Sequence, residues 1–267
     1  MRVLALFCIL VFSSISVAQE IEWHRNLDES TAMAKEAGLP ILIDFWASWC
    51  VPCGVMQKEL WESPEGKKLA SKFICVRLDF DNATSAIQRF HVSSVPTVVF
   101  TDSWGNFLTK LIGFEGPQRY LYAMNRMPAN FKTIDPANEA LSTNPKDTEA
   151  LRTVARFYYD AGAYEFSTHF LERGMNQATS AGEKSEMMVA IGWNHLKMKN
   201  YKDAENTFRD CLKIKDFAGK DVALFGLVVS ALGQNKKKEA QKAFEELKKS
   251  FPDSPATAKA AQLIGTN

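Results

Sequence analysis

Two textures of hydrophobic patterning divide the chain. Over residues 21–128, short continuous apolar runs alternate with amphipathic stretches. ILIDFWA and KFICVRLDF place β-branched and aromatic residues at consecutive positions, the mark of strands buried on both faces. PTVVFTDSWGNFLTKLIG predicts two more strands around a turn at residues 102–106. NLDESTAMAKEAGLP reads as a helix that Asp28 or Asn26 caps and that Gly38 and Pro40 end. CGVMQKELW, SAIQRF and GPQRYLYAMNRM have helical spacing as well. The order helix–strand–helix–strand–helix–strand–strand–helix predicts an α/β unit around a mixed sheet.

After Met127 the pattern changes. PANFKTIDPANEALSTNP, rich in Pro, Asn, Ser and Thr, reads as a linker, with bounds 129–146. Residues 147–267 are helical throughout and repeat themselves. Tyr164, Tyr201 and Lys237 occupy equivalent positions at intervals of 37 and 36 residues. Before each stands a small or short residue (Ala155, Gly192, Val228), and after each another (Ser167, Ala204, Ala240), then a large apolar one (Leu171, Phe208, Phe244). Small residues let paired helices approach, and the large one fills the gap to the neighbour. The pattern resembles tetratricopeptide repeats over residues 147–252, with YKDAENTFRDCLKI the strongest unit and SPATAKAAQLIG a capping helix. Such stacks present a concave surface, which makes an unidentified protein the expected partner there.

Composition narrows the class. The chain is 46% hydrophobic and 24% charged, with net charge +1, so no basic field calls for nucleic acid. MRVLALFCILVFSSISVAQE has an early Arg2, a short apolar run and small residues ending at Ala18. That is the layout of a signal peptide over residues 1–18, cleaved after Ala18, so the mature protein is expected to be periplasmic or otherwise exported. The run falls short of the roughly 20 residues that span a bilayer.

Beyond Cys8 in that segment, four cysteines remain, and Cys75 and Cys211 sit in apolar or amphipathic patterns typical of buried thiols. Cys50-Val51-Pro52-Cys53 admits three readings. Zinc needs four ligands, and the chain has no second such pair, while His24, His91, His169 and His195 are scattered. A structural disulfide across so short a loop removes little chain entropy. A redox pair accounts for the placement where a buried strand meets a helix. There Cys50 gains thiolate character as attacking nucleophile, Cys53 resolves, and Pro52 suits a helix start. The expectation is a redox dithiol with neither metal nor cofactor.

IDFWASWCVPC followed by VSSVPTVVF resembles the thioredoxin superfamily, over residues 21–128 and with a domain expected at 19–128. The resemblance implies an α/β thioredoxin-like domain, followed here by an all-α helical-repeat domain. It implies that Asp44 is the buried acid that moves the proton of Cys53, with burial raising its pKa. It implies that Val95 and Pro96 form the cis-proline loop that pairs with substrate backbone, and that Trp49 and Trp46 flank the site. Two departures stand out: Val-Pro between the cysteines, where thioredoxins have Gly-Pro, and Arg77, where they carry a lysine. The opening IEWHRNLDESTAMAKEAGLPILIDFWASWC is similar to the carboxy-terminal domain of the transmembrane disulfide reductase. That likeness implies a thiol:disulfide oxidoreductase reducing protein disulfides, supplied with electrons by an upstream membrane thiol reductase. A disulfide oxidase or isomerase is the alternative within enzymes. A redox-silent binding module is the alternative outside them, although a platform needs none of Cys50, Cys53, Asp44 and Pro96 together.

Overall fold

The computed structural model describes residues 20–215 and 217–265; the expected signal peptide lies outside them. Four strands, β1 (Ile41–Trp46), β2 (Ile74–Asp79), β3 (Thr97–Thr101) and β4 (Phe107–Ile112), form one sheet in the order β2-β1-β3-β4. β1 runs parallel to β2 and antiparallel to β3, and β4 pairs antiparallel with β3. Alternate residues of a strand face opposite ways. Ile41, Ile43 and Phe45 therefore meet one apolar layer, with Ala34 of α1 (Leu27–Ala37) and Phe90 of α4 (Thr84–Phe90). Leu42 meets the other, with Leu60, Leu69, Tyr120 and Met124. Both faces are covered, which is why β1 is apolar at nearly every position.

Local signals explain the element ends. Asn26, rather than Asp28, caps α1 by accepting from the backbone N–H of Asp28 and Glu29, and Gly38 ends it at φ 69°. After β1 comes α2 (Val51–Met56), continued by a π-helical turn, Gln57–Trp61. Within the sheet unit one helix was not anticipated from the sequence: α3 (Pro64–Ala70), with Ser63 as its cap and Pro64 in its first turn. Its apolar face is only Leu69 and Ala70, too short for periodicity to register. α5 (Gln118–Arg126) follows β4 and packs against α3.

The segment expected to be a linker is structured. Residues 132–134 form a 3₁₀ turn and α6 spans Asp135–Thr143. Pro136 sits in the first turn, where its missing N–H costs no bond. Ile134, Ala137 and Leu141 are buried, together with Phe131. This stretch clasps the end of the sheet remote from the cysteines. Phe131 N–H donates to Gly38 O (2.8 Å), and Trp104 Nε1 in the β3–β4 turn donates to Asp135 Oδ1 (2.9 Å). Lys35 Nζ lies 4.0 Å from the Trp104 ring centroid. One apolar cluster runs unbroken from Leu42 on the sheet to Ile191 in the helical region.

The helical region is three helix pairs and a last helix: α7 (Thr148–Asp160) with α8 (Tyr164–Gln177), α9 (Ala181–Lys197) with α10 (Tyr201–Leu212), α11 (Lys220–Gly233) with α12 (Lys237–Ser250), then α13 (Pro255–Gly265). Tyr164, Tyr201 and Lys237 each open the second helix of a pair. A Cβ on Gly192 would stand 2.6 Å from the Phe208 ring, and one on Gly226 would stand 2.4 Å from it. α9 and α11 thus both close on Phe208 of α10, α9 at the small position of its repeat, Gly192, and α11 at Gly226, two residues before the equivalent Val228. Among the described residues no helix is long and apolar enough to cross a membrane.

Candidate functional site

The cysteines sit where β1 gives way to α2. Cys50 N–H donates to Ala47 O at 3.1 Å, which turns the chain off the strand. Cys50 is the N-cap residue of α2, and its Sγ accepts from Cys53 N–H at 3.2 Å. A donor aimed at that sulfur favours its thiolate once the pair is reduced. Cys50 and Cys53 are joined as a disulfide and are nearly buried, at 7% and 9% exposure. Ala47, Trp46, Phe80 and Val95 pack around them.

The Val95–Pro96 peptide bond is cis. Its loop is held from both sides: Gly113 N–H donates to Pro96 O (2.8 Å), and Thr97 Oγ1 donates to Ser94 O (2.7 Å). Trp49 is 61% exposed, and its indole N–H donates to Asp81 Oδ2 at 2.9 Å. Val51 and Val55 of α2 are exposed as well, so the surface at the cysteine-bearing helix carries three exposed apolar side chains.

Asp44 lies on β1 beneath this surface, buried, with Arg77 Nε at 2.9 Å from Oδ2. Burial raises its pKa, while the Arg77 charge and hydrogen bonds from Arg77 and Trp61 act against that rise. The Arg77 guanidinium in turn lies 4.0 Å from the Trp23 ring centroid. Cys75, on the neighbouring strand, is pushed up to about 12 by burial and by the Asp44 charge, so it is an unreactive thiol. Cys211 is likewise buried and free. Among the described residues no group of three or more His, Cys, Asp or Glu is placed to hold a metal ion.

Of the residues singled out from sequence, Cys50, Cys53, Trp46 and Val95 meet in one cluster. Pro96 closes the adjacent loop, and Trp49 stands exposed. Asp44 keeps its own polar partners, Arg77 and Trp61. Phe80 and Asp81 were not anticipated. The parallel register Trp46↔Asp79 brings the residues just after β2 alongside those just after β1, a relationship that patterning along one strand does not carry.

A dithiol on the end of a central strand, capping a helix and facing a cis-proline loop, defines a thiol–disulfide exchange centre. The chain belongs to the thioredoxin-like family, whose profile matches residues 22–103. Over 96 residues it is 32% identical to a thioredoxin of Alicyclobacillus acidocaldarius, covering 36% of this chain and 88% of that protein. Over 115 residues it is 26% identical to the thiol:disulfide interchange protein DsbD of Ralstonia nicotianae, covering 41% of this chain but only 19% of that one. This chain therefore spans about a fifth of the DsbD relatives it matches. A solved DsbH oxidoreductase is 22% identical over 45% of this chain and 92% of its own, with a TM-score of 0.39. The tetratricopeptide profile matches residues 222–254, which is the pair α11–α12 rather than the unit the sequence ranked first.

Proposed function

We propose that this protein is an exported thiol:disulfide oxidoreductase that reduces protein disulfides and carries a helical-repeat region for binding a partner. The observation that carries the reading is the Cys50–Cys53 pair, with the Cys53 N–H directed at Cys50 Sγ, beside the Val95–Pro96 loop. In the reduced protein the Cys50 thiolate attacks one sulfur of a substrate disulfide. A mixed disulfide forms, and the first substrate thiolate leaves. The Cys53 thiol passes its proton towards Asp44 and attacks Cys50 Sγ. The second substrate thiolate is then expelled, and the pair is left oxidised as in this structure. Substrate backbone lies along the Val95–Pro96 loop, and Trp49 shields the exchanging sulfurs.

Likeness to DsbD supports reduction as the direction of flow, with an upstream membrane thiol reductase returning two electrons to the pair. Export rests on residues 1–18 of the sequence. The reduction potential of the pair tests the reading, measured in thiol–disulfide buffers by alkylation shift with Cys53→Ala as control. A value near the thioredoxin end, about −270 mV, is expected for a reductase. A value near about −120 mV overturns the direction and makes the protein a disulfide donor.

A further inference from the structure

Two surface grooves, of about 420 and 540 Å³, meet at Tyr122 and Asn125, which line both. The first lies between α3 and α5 and begins at Gln118; the second crosses to the turns that join α7 to α8 and α9 to α10. Together they make one channel from the thioredoxin unit onto the helical repeats. Hydrogen bonds link its upper end to the cis-proline loop of the redox site. Arg119, next to Gln118, donates from Nη2 to Ile112 O (2.6 Å), and the following Gly113 holds Pro96.

The channel is cationic. Lys68, Lys72, Arg126, Lys197 and Lys199 line it, against two carboxylates, Glu65 and Glu165. The whole chain, by contrast, carries a net charge of only +1. Arg126 is already engaged, by Glu165 Oε2 at 3.2 Å and by Gly162 O at 2.8 Å, and it pins the junction. The four lysines are exposed, and no carboxylate among the described residues lies within 4.0 Å of their amines. Tyr122, which lines both grooves, accepts from Arg126 Nη1 at its hydroxyl (2.7 Å) and is still 62% exposed. An exposed aromatic among unneutralised lysines on a concave strip fits an extended acidic chain with an apolar side chain to lay on the ring.

We propose that this channel binds an acidic, extended segment of the same polypeptide whose disulfide is exchanged at Cys50. The proposal rests on the redox reading for its second half, and on the channel's shape and charge for its first.

The test uses the reduced mature protein and two disulfide-linked peptides that are identical at the disulfide. One carries a flexible spacer and a tail of glutamates with one phenylalanine; the other has serines in place of the glutamates. The acidic tail is expected to speed exchange about tenfold at low salt. The advantage should shrink as the Debye length falls to about 8 Å near 0.15 M ionic strength. The triple reversal K68E/K72E/K197E is expected to remove the advantage. An equal charge change remote from the channel, K248E/K249E/K259E, is expected to keep it. Equal rates for the two tails, or an advantage that survives the first triple reversal, overturn the proposal. If neither peptide exchanges, the redox reading has failed, and anisotropy of a labelled, cysteine-free acidic tail decides the channel alone. Binding weakened only by the first triple reversal upholds the groove, and no binding refutes it.

Discussion

Arg77 donates to Asp44 at 2.9 Å, and the two are register partners across the parallel β1–β2 pair. The ion pair is therefore built by strand pairing and nearly sealed from water. Burial dominates at Asp44 and raises its pKa above 3.8, so the fold disfavours its ionised form. The sign follows. The penalty is absent at pH values below 3.8, where the carboxyl is neutral in both folded and unfolded chains. It grows as pH rises through the interval up to the folded pKa and is complete above it.

Removing Arg77 deepens that penalty. Arg77→Met is expected to cost about 3–5 kcal/mol at neutral pH by leaving a buried carboxylate without its partner. The gap from the native protein narrows as pH falls towards the unfolded carboxylate range. Urea unfolding at the two ends of that range checks it. A gap that stays constant with pH would show that the loss is packing on Trp23 and not charge. In exchange kinetics Asp44→Asn is expected to slow resolution of the mixed disulfide by about 10²-fold or more, because a positioned proton acceptor is gone.

Thiol accessibility separates the four cysteines of the described residues into two classes. In the native oxidised protein an alkylating reagent should modify none of them, since Cys75 and Cys211 are buried and their thiols are pushed up to about 12 and about 11. After mild reduction of the folded protein, Cys50 is expected to react first. Cys75 and Cys211 should label only on unfolding. Mass mapping reads this directly, and early labelling of Cys75 would contradict its place in the sheet core.

The second and third repeats share a polar hub. Glu205 accepts from Gln234 Nε2 (3.0 Å), Arg209 Nη2 (2.9 Å) and Lys236 Nζ (3.4 Å). The Gln234 hydrogen bond chiefly, with those from Arg209 and Lys236, holds the carboxyl down at about 2. A depressed acid stabilises the fold above its unfolded value near 4.5, and that contribution is lost as pH falls through about 2. Glu205→Gln is expected to lower the melting temperature of the helical region at pH 7, with the difference from the native protein vanishing in strong acid. Thermal melts followed by far-ultraviolet circular dichroism would show it. An equal offset at every pH would exclude a charge contribution.

The junction makes a thermodynamic claim. Phe131 is fully buried, 5.4 Å from the Phe157 ring and 6.0 Å from Tyr158 between centroids, within the cluster that joins sheet and helices. Phe131→Ala is expected to cost about 3–5 kcal/mol. It should also split unfolding into two calorimetric transitions, because the shared core is breached between them. A single transition shifted downward would mean that the two parts remain one cooperative unit without it.

Much of the site was legible along the chain because its signals are local. A strand pattern and a helix start place Cys50 and Cys53 with no knowledge of distant contacts, whereas Val95 and Pro96 were marked by the resemblance of VSSVPTVVF to thioredoxins. The repeat period was legible for the same reason: Tyr164, Tyr201 and Lys237 mark a unit that recurs because each pair must bury the same face. The turn residues were not. Gly162, Lys199 and Asn235 adopt φ of 74°, 61° and 59° at the same 37- and 36-residue spacing, and while Gly and Asn are types that favour a left-handed turn, lysine is not. Lysine takes that conformation at Lys199 because the packed helices on either side dictate the path between them.

What the sequence by itself determined is therefore the elements other than α3 and α6, the dithiol and the periodic helix pairs, all consequences of interactions within a few residues. Only the tertiary structure decided the remainder. It paired Asp44 with Arg77 across two strands and brought Asp81 to Trp49. It folded residues 129–146 into the core as a clasp, with α6 at its centre, and laid α5 against the repeats to form one cationic channel. Each of these joins residues dozens of positions apart. Their energies come from burial and geometry that exist only once the chain has closed on itself.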